Sequence, residues 1–522
     1  MTLIIKNVQP LGSARKLPQR MDIFISGDKI SAFGNFSSKG ADETIDGRGA
    51  YVSPGFIDVN TDSDHYLTLF DDPAQEDFLT QGVTTILGGQ CGSSLAPLIY
   101  GSLESIRKWT DIGQINVDWN SVKDYLNVLE RRHLGINFGT MIGHSTIRRS
   151  IIGETQRTLT RNEFKVFDEI LKRAMTEGGF GLSTGLGYLH GKNTPYQEIK
   201  TFLKTVKKFG GVYSTHLRKG GEGLRESVNE TLKVSEESGA KTLISHFMPH
   251  LGEEKDYEWA LEEFEKLPAN RDFHFDVYPF DSTIVPLYTF LPEWAQVENL
   301  EMMNSFLNDE WRRGKILKEL PDVSPESIVV SRATKNEAVV GHSLKELGLI
   351  YDTKDAKKTL LQLMLTTKLR AVVFYKNINK KLIEAAISHP RSLLASNAAS
   401  SSDKSIDKAI KSERATSTFT KFLSMSENEK LMPLDEAVKK ITSVPAKKFD
   451  IKGRGELKEG NFADLTIFSA RGSLSPQSEA SEPAPGGKDM DIKFVVVNGK
   501  IAVRDGVFQN NCAGRILRHG QG

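Results

Sequence analysis

The stretch GFIDVNTDSDHYLTLFDDP, residues 55–73, contains a pattern that recurs through most of the chain: a short apolar run ends on a polar residue, here Asn60, and helical sequence follows. Seven later runs repeat this pattern: VTTILGGQC, INFGTMIGH, GFGLST, GVYSTH, KTLISH, FHFDVYPF and RSLLASN. Apolar strands that alternate with helical segments indicate parallel β/α units. Eight such units are what a (β/α)8, or TIM-like, barrel requires, so the sequence predicts an α/β fold of that class.

Each of these runs ends its apolar part on a residue that can take part in chemistry. The residues are Asn60, Cys91, His144, Thr184, His216, His246, Tyr278 and Asn397. Active sites of barrels lie at the C-terminal ends of the strands. Because an ordinary core would not end every strand in this way, we expect a functional site at the mouth of the barrel, where those ends meet.

The two ends of the chain do not follow the alternation of strands and helices. TLIIKNV and MDIFISGDKISAFG near the start, and ADLTIFSA and IKFVVVNGKIAVRDGVF near the end, have the pattern of short strands joined by turns. Neither end has enough apolar residues for its own core, so we expect one small β-domain built from residues 1–53 and 451–522. The barrel then spans residues 54–450. About a hundred residues separate its last two strands, which predicts an inserted lid or subdomain at about residues 284–388.

The composition excludes several classes of partner. The 522 residues include 68 Lys and Arg and 67 Asp and Glu, so the net charge of +1 offers no long-range attraction for nucleic acid or an anionic membrane. The two cysteines, Cys91 and Cys512, are too few for a disulfide framework and favour a reducing compartment. The N-terminus lacks a signal-peptide pattern, and no apolar stretch approaches the roughly 20 residues of a membrane span. We therefore expect a cytoplasmic protein, and the sequence leaves open whether it forms a homo-oligomer.

Cys91, His216 and His246 form the candidate metal site. The two histidines lie thirty residues apart, about one β/α unit, so they should end neighbouring strands at the same height. Cys91 ends the second strand within GGQCGSS. One thiolate and two neutral imidazoles suit Zn2+ and leave a fourth position open for water. A single buried Cys or His is more often a simple core residue, but three of them at the strand ends of one barrel predict a metal site.

The chain also resembles a known family. YVSPGFIDV, LTQGVTTILGGQCGSSLAP, IGHSTIR, GGFGLSTGLGY, GGVYSTHLR, TLISHF, FDVYPF and SVPAKKFDIKGRGELKEGNFADLTIF are similar, in this order, to motifs of the N-acyl-D-amino-acid deacylases (D-aminoacylases) of the amidohydrolase superfamily. The resemblance implies a zinc-dependent barrel with a β-sandwich built from both termini. It also implies that the tightly held zinc is bound by Cys91, His216 and His246.

Three positions depart from the family pattern. The family has His-x-His on the first strand, where this chain has Asn60 and Asp62. It has a catalytic Asp within Ser-Asp-Gly on the eighth strand, where this chain has Asn397. That Asp normally takes a proton from the zinc-bound water and delivers it to the departing amine. Asn397 can hold water or substrate by hydrogen bonds, but a neutral amide cannot act as the general base.

Residues after the first strand offer a replacement for the base. NTDSDH places Asp62, Asp64 and His65 at the exit of this strand, beside the expected zinc. Asp62 occupies a former ligand position, so its carboxylate could bind the metal or deprotonate the water; Asp64 or His65 could also reach. The alternative is that these residues form a solvated turn or cap the next helix. We expect a compensated site with one tightly bound zinc and a base moved to the first strand.

Four further residues are candidates for substrate binding. His144 ends the third strand and should face the mouth, either as a direct contact or as a hydrogen-bonding support for one. By resemblance, Tyr188 meets the substrate and Arg414 binds its carboxylate. Arg218 follows His216 and could pair with the same carboxylate by charge-assisted hydrogen bonds. Each cation could equally be an ordinary surface charge.

The sequence thus predicts a zinc-dependent amidohydrolase that cleaves a linear amide, such as an N-acyl-D-amino acid or a D-residue peptide. Its substrate would be a small molecule with a carboxylate. One alternative is a catalytically silent barrel that binds a ligand or partner through the same mouth. A cyclic amidase or deaminase is disfavoured, because such sites normally need the missing His-x-His and Asp. Retention of Cys91, His216 and His246 favours metal binding over a silent barrel.

Overall fold

The computed structural model describes most of the chain. Outside the description are residues 14–16, 38–39, 100–102, 104–105, 107–109, 111, 156, 189, 298, 402–408, 429, 471–489 and 522. Parallel strands alternate with helices, so the predicted α/β class is confirmed. Within the described residues, no helix has both the length and the apolar character needed to cross a membrane.

Strands occur at both ends of the chain and between the helices. In chain order they are β1 (Thr2–Pro10), β2 (Met21–Ser26), β3 (Lys29–Gly34), β4 (Glu43–Asp46), β5 (Tyr51–Pro54), β6 (Phe56–Asp58), β7 (Val83–Gly88), β8 (Asn137–Thr140), β9 (Ile142–Gly143), β10 (Gly181–Gly185), β11 (Val212–His216), β12 (Lys241–Ile244), β13 (Phe273–Val277), β14 (Thr283–Pro286), β15 (Ile328–Ala333), β16 (Ala371–Tyr375), β17 (Ser392–Leu394), β18 (Leu465–Ala470), β19 (Met490–Val497), β20 (Lys500–Arg504) and β21 (Val507–Phe508).

The helices cover the strands or connect them. They are α1 (Thr68–Asp71), α2 (Glu76–Leu79), α3 (Val122–Glu130), α4 (His144–Ile152), α5 (Arg161–Thr176), α6 (Tyr196–Lys208), α7 (Leu224–Ser238), α8 (Glu254–Glu265), α9 (Leu300–Asn308), α10 (Glu310–Glu319), α11 (Leu344–Ile350), α12 (Ala356–Thr367), α13 (Lys380–Ser388), α14 (Glu413–Asn428), α15 (Leu434–Lys440) and α16 (Ser443–Phe449). Capping boxes begin two of them, Ser121 with Asp124 at α3 and Thr160 with Glu163 at α5, which satisfies N–H groups that a helix start leaves free.

The first and last strands of the chain form one sheet. Its order is β21-β20-β19-β18-β5-β1-β2-β3, with β4 paired in parallel to β1. β5 pairs antiparallel with β18, where Tyr51 lies opposite Phe468, and this pairing joins the two ends of the chain. Asn498 and Gly499 make the tight turn between β19 and β20 with φ values of 46° and 78°, which Asn and Gly adopt most readily.

The apolar runs in the middle of the chain form two parallel sheets. One contains β6, β7 and β8, and the other has the order β17-β13-β12-β11-β10-β9. Backbone hydrogen bonds join the two sheets at both edges: Met141 N–H donates to Gly88 O at 2.9 Å, and Asn397 N–H donates to Asn60 O at 2.8 Å. The carboxyl ends of these strands therefore lie side by side, and we call the face that they form the mouth.

A separate sheet and core occupy the long connection between β13 and β17. β14 and β15 pair antiparallel with β16, the strand predicted from AVVFY. Buried side chains of this segment, such as Leu307, Val330 and Met364, form a hydrophobic cluster of their own. The segment is attached near the mouth by the Ile410 N–H, which donates to Ser331 O at 2.9 Å.

A buried polar network fastens the terminal sheet to the parallel strands. Arg454 donates to the Asp464 carboxylate and, at 2.8 Å, to Asn498 Oδ1. Asp464 also accepts the side-chain amide of Asn137, on β8, at 3.0 Å. All four side chains are buried. A buried charge is tolerated only while its partner remains in place, so this network should be sensitive to the loss of one member.

Replacing Arg454 with Met should destabilise the protein strongly. The substitution leaves the Asp464 carboxylate buried without its cation, which costs about 3–5 kcal/mol of unfolding free energy. Urea denaturation followed by circular dichroism would measure the loss. The control is Arg157→Met, which breaks a surface ion pair with Glu163 and should keep the midpoint near the wild-type value. A midpoint no lower for Arg454→Met than for the control would contradict this role of the network.

Candidate metal centre

Three side chains from neighbouring strand ends converge on one point. Cys91 follows β7, His216 ends β11 and His246 follows β12. Cys91 Sγ lies 3.3 Å from His246 Nε2, and His216 Nδ1 lies 2.8 Å from the same nitrogen. The three ligand atoms lie within 4.8 Å of one another. Sulfur together with imidazole nitrogen is a donor set that suits Zn2+.

The spacing of the three atoms suits an ion. Zn–N bonds of about 2.0–2.1 Å and Zn–S bonds of about 2.3 Å hold tetrahedral ligand atoms roughly 3.3–3.6 Å apart. The Cys91–His246 separation fits this spacing, and the two imidazole nitrogens need to part by only about half an ångström. Burial lowers the pKa of His246 to about 4 and keeps the ring neutral, which is the form that binds a metal.

The backbone around the site adopts conformations that side chains rarely allow. Cys91, His246 and Asn397 have positive φ values of 54°, 38° and 45°, a region that few non-glycine residues enter. Gly92 follows with a φ of 75°, and a Cβ there would meet the Gly185 nitrogen at 2.5 Å. Such backbone persists where the surrounding fold fixes it, and it clusters at functional sites.

Two buried carboxyls that the sequence reasoning missed hold the backbone of residues at the mouth. Asp276 of β13 accepts the His246 backbone N–H at 2.8 Å. Asp58 of β6 accepts the backbone N–H groups of Asn60 and Ser396, each at 3.1 Å. Burial raises the pKa of both carboxyls to about 7, although these hydrogen bonds work in the opposite direction. An acid inside an apolar run, as in GFIDVN and FHFDVYPF, is the signal that could have found them.

Asn60 is part of this interior network. It is fully buried, and its side-chain amide donates to the two carboxylate oxygens of Asp276 at 3.3 and 3.4 Å. Its Oδ1 has no hydrogen-bond partner within the part of the chain that the structure describes. The amide therefore connects β6 to β13 through an acid that also holds the His246 backbone.

Asp62 stands in an ion pair at the exit of β6. Its Oδ1 lies 3.0 Å from His65 Nδ1, and His65 Nε2 lies 3.1 Å from the Ser93 carbonyl. Burial opposes a charge on His65, but the carboxylates of Asp64 and Asp62 outweigh it and raise the pKa of His65 to about 9. Burial also opposes a charge on Asp62, yet the hydrogen bond and charge of His65 hold its pKa below the usual value. Asp62 is therefore an anion, and 13% of its side chain is exposed.

Asp64 belongs to the interior rather than to the mouth. It is fully buried, and its Oδ2 accepts the Gly89 N–H at 2.7 Å. The preceding Gly88 leaves room for this carboxyl, since a Cβ there would lie 2.9 Å from Asp64 Cγ. Burial raises the pKa of Asp64. These surroundings do not fit the predicted role of a base that meets water and substrate.

Tyr188 contacts a residue of the ligand cluster, and Asn397 lies opposite the exit of β6. The Tyr188 ring stacks on the His216 ring with centroids 4.5 Å apart. Burial raises the pKa of Tyr188 well above its usual value, so its hydroxyl remains a hydrogen-bond donor. Asn397 is half-buried, and its backbone bond to Asn60 sets it opposite the exit of β6.

Arg414 is a buried cation near the mouth. Only 3% of it is exposed, and its guanidinium carbon lies 4.4 Å from the centroid of the Tyr278 ring. Its Nε has no hydrogen-bond partner among the described residues. A buried cation with an unused donor suits the binding of an anion, because a buried N–H group without a hydrogen-bond partner is unfavourable.

Arg218 forms an ion pair with Glu230, a residue of the neighbouring helix α7. Its Nε and Nη2 donate to the two carboxylate oxygens of Glu230 at 2.9 and 2.7 Å, and Nη2 also donates to Thr194 O at 3.0 Å. The bidentate pair neutralises the guanidinium. The predicted contact between Arg218 and a substrate carboxylate does not fit this arrangement.

His144 also makes its contacts away from the metal ligands. It is the first residue of α4, its ring centroid lies 5.2 Å from that of Phe167, and its Nε2 lies 2.9 Å from Glu198 Oε1. Phe167 belongs to α5 and Glu198 to α6. The structure thus places this ring against two helices, which does not fit the predicted direct contact with substrate.

Comparison with known proteins supports the family suggested by the motifs. No protein-family model matches the chain. The chain is 27% identical to a D-aminoacylase of Alcaligenes xylosoxydans xylosoxydans over 96% of this chain and 94% of that protein. It also matches the crystal structure of a D-aminoacylase that defines a subset of the amidohydrolases, with a TM-score of 0.75, 25% identity and 99% of both chains covered. The resemblance to D-aminoacylases is therefore confirmed over nearly the whole chain.

Metals are present in structures that share this fold. An N-acyl-D-glutamate deacylase from Bordetella bronchiseptica, in complex with zinc and a phosphonate that mimics the tetrahedral intermediate, has a TM-score of 0.76 at 22% identity, with 99% of both chains covered. A D-aminoacylase with a binuclear metal centre has a TM-score of 0.74 at 24% identity over the same shares. That centre holds two metals, whereas the sequence of this chain predicts one ion.

The Asp62–His65 pair should make stability depend on pH between about 6.5 and 9. Because the pKa of His65 is raised from 6.5 to about 9, its stabilising charge is fully present below 6.5 and is lost as the pH rises through 9. The shift corresponds to about 3 kcal/mol of unfolding free energy. Metal-free wild type should therefore lose more stability between these pH values than His65→Gln, as measured by urea denaturation. Equal losses would show that His65 is not charged in the folded protein.

Proposed function

We propose that this protein is a zinc-dependent amidohydrolase that cleaves a linear amide, with an N-acyl-D-amino acid or a D-residue peptide as substrate. The observation that carries the proposal is the convergence of Cys91, His216 and His246 in a chain similar over nearly its whole length to D-aminoacylases. A protein that only binds a ligand has no need to hold a thiol and two imidazoles within reach of one ion.

The proposed architecture is a (β/α)8 barrel at residues 54–450, with a β-sandwich from residues 1–53 and 451–522. The hydrogen bonds that join the two parallel sheets at both edges support the barrel. The pairing of β5 with β18 supports a single domain from both termini. The antiparallel sheet and separate core between β13 and β17 support a lid at about residues 284–388.

One tightly bound zinc is the proposed cofactor. When bound, it would polarise the amide carbonyl and lower the pKa of water at its open position. The proposal of one ion rather than two rests on the residues at the exit of β6. The Asn60 amide is held by Asp276, and Asp62 is paired with His65, so neither side chain is as available to a second metal as an imidazole would be.

Asp62 is the proposed general base. It is an anion whose Oδ1 is fixed by His65, and part of its side chain is exposed. Fixed in this way, the carboxylate can take a proton from the attacking water and return it to the leaving amine. Asn397, opposite β6, can orient the water or substrate through its amide. Asp64 has no such part, because it is enclosed in the interior.

Arg414 and Tyr188 are the proposed contacts of the substrate. The Arg414 Nε–H, which has no hydrogen-bond partner among the described residues, can donate to a carboxylate, and its buried position strengthens a charge-assisted hydrogen bond. The Tyr188 hydroxyl, kept protonated beside His216, can donate to the amide carbonyl. These two groups would hold the substrate between the ligand cluster and α14.

Protein purified without added zinc should contain about one zinc per chain. Cys91→Ser and His246→Ala should each lose most of it, because each removes a protein ligand from the set. Cys512→Ser is the matched control, since Cys512 is exposed and outside the cluster. Elemental analysis after gel filtration would measure the metal. Zinc-free wild type, or variants that keep the wild-type content, would contradict the metal site.

Replacing Asp62 with Asn should lower kcat about 10²–10⁴-fold on a panel of N-acetyl-D-amino acids and D-dipeptides, because general-base help has that magnitude. Asn397→Asp tests the rival, a silent barrel whose base is missing. If Asp62 is the base, an added carboxylate nearby raises one carboxyl pKa, shifts the pH–rate profile and adds little activity.

The silent-barrel hypothesis predicts the opposite result for each of these two variants. A silent wild type that gains deacylase activity only as Asn397→Asp would show that no base moved to β6. Full activity in Asp62→Asn would equally overturn Asp62 as the base. Zinc content of each variant is the control, because a changed metal content would explain a changed rate without any change in the base.

A further inference from the structure

Three polar side chains form a continuous line of hydrogen bonds in the interior of the parallel strands. Gln90 Nε2 donates to Val59 O at 2.7 Å, and Gln90 Oε1 accepts the Ser214 hydroxyl at 2.7 Å. Ser214 Oγ lies 2.8 Å from Ser245 Oγ. Because the single proton of Ser214 is donated to Gln90, the Ser245 hydroxyl must donate to Ser214. We call Gln90, Ser214 and Ser245 the glutamine–serine network.

The network adjoins the proposed metal ligands along the sequence. Each member lies one or two residues before a ligand: Gln90 before Cys91, Ser214 before His216, and Ser245 before His246. On β11, side chains two residues apart point to the same face of the strand. The side-chain bonds of the network therefore connect the three strand ends from which the ligand atoms converge.

These bonds connect strands that the sheets leave apart. β7 pairs with β6 and β8, whereas β11 pairs with β10 and β12. Cys91, which follows β7, thus belongs to one sheet, and both histidines belong to the other. The backbone pairing of β11 with β12 sets the spacing of the two imidazoles. The bond between Gln90 and Ser214 is what links the strand of the thiol directly to the strand of a histidine.

The backbone around Cys91 needs such support. Cys91 has a positive φ, and so do Gly89 and Gly92 on either side of it, a conformation that persists where the surrounding fold fixes it. Ser183 of β10 holds one side of this turn, since its hydroxyl donates to Gly89 O at 2.5 Å and accepts the Gly92 N–H at 3.1 Å. Gln90, inside the same turn, holds the other side through the network.

Burial makes the network sensitive to the loss of one member. Gln90 and Ser214 are fully buried, and Ser245 is 2% exposed. Hydrogen bonds in a line strengthen one another in a medium of low dielectric constant. Removing one side chain leaves its neighbour as a buried polar group without a partner, which is more costly than the lost bond alone. The network therefore favours one arrangement of the three strand ends.

We propose that Gln90, Ser214 and Ser245 are positioning residues that hold the Cys91 thiol at the distance from the imidazoles that zinc requires, before the ion binds. The separation of 3.3 Å between Cys91 Sγ and His246 Nε2 already has the value expected around a bound zinc. This inference rests on the proposed metal centre and adds the residues that set its affinity. Zinc affinity then depends on side chains that do not touch the ion.

Replacing Ser214 with Ala should weaken zinc binding about 10–100-fold, the range found when groups that orient metal ligands are removed. Competition with a chromophoric chelator on the full-length protein would measure the dissociation constant. Ser426→Ala is the matched control, because it removes a buried hydroxyl that donates to Phe422 O within α14. The control should keep the wild-type affinity. Co2+ bound in place of zinc should show shifted absorption bands in Ser214→Ala only, since those bands depend on ligand geometry.

Two further variants test the network as a unit. Gln90→Met keeps the length of the side chain but removes both of its hydrogen bonds, so it should weaken zinc binding as much as Ser214→Ala. Combined with Ser214→Ala it should add little, because both changes break the same bond. Ser214→Thr keeps the hydroxyl and should retain most of the affinity.

The possible failures are distinguishable. Wild-type affinity in Ser214→Ala and Gln90→Met would overturn the inference and leave the metal centre standing. An equal loss in Ser426→Ala would also overturn it, because the loss would then come from general destabilisation. Wild type without measurable zinc affinity would refute the proposed metal centre, and the inference with it.

Discussion

The pairing of the last parallel strand with the first determines where the groups of the candidate site lie. Asn397 N–H donates to Asn60 O at 2.8 Å, and Asp62 N–H donates to Ala398 O at 2.9 Å. Because a slip of one residue between strands would turn side chains to the opposite face, these two bonds fix which residues face the interior. They commit Asn60 to the interior and leave Asp62 at the exit of β6.

This constraint explains how the chain accommodates its departures from the family pattern. The neutral Asn397 removes a negative charge at the end of β17, and Asp62 supplies one across the same pair of backbone bonds. Asn60 replaces an imidazole with an amide that can donate to Asp276. His65 then restores a cation beside the new carboxylate. The negative charge that the family pattern has on the eighth strand thus has a counterpart on the adjacent first strand, to which two backbone hydrogen bonds join it.

Local sequence was sufficient to predict the strands and the ligand cluster, but not the long-range polar contacts. Cys91, His216 and His246 were predictable because each directly follows an apolar run, and parallel strands place such positions at one end. Arg218 also follows a strand, yet its charge is taken by Glu230, which only the folded α7 brings near. The antiparallel sheet of the insertion has no counterpart in the β/α rhythm. The hydrogen bond from the Ile410 N–H to Ser331 O depends on how the insertion docks, which strand periodicity does not encode.

The ion pair at the exit of β6 also sets what the proposed base can do. His65 holds the pKa of Asp62 below its usual value, so this carboxylate is a weak base near neutral pH. A weak base accepts a proton readily only from water that is already acidified, and lowering the pKa of water is what a zinc held by Cys91, His216 and His246 would supply. The carboxylate and the ligand cluster are therefore interdependent. The same low pKa keeps Asp62 ionised, although burial alone would favour its protonated form.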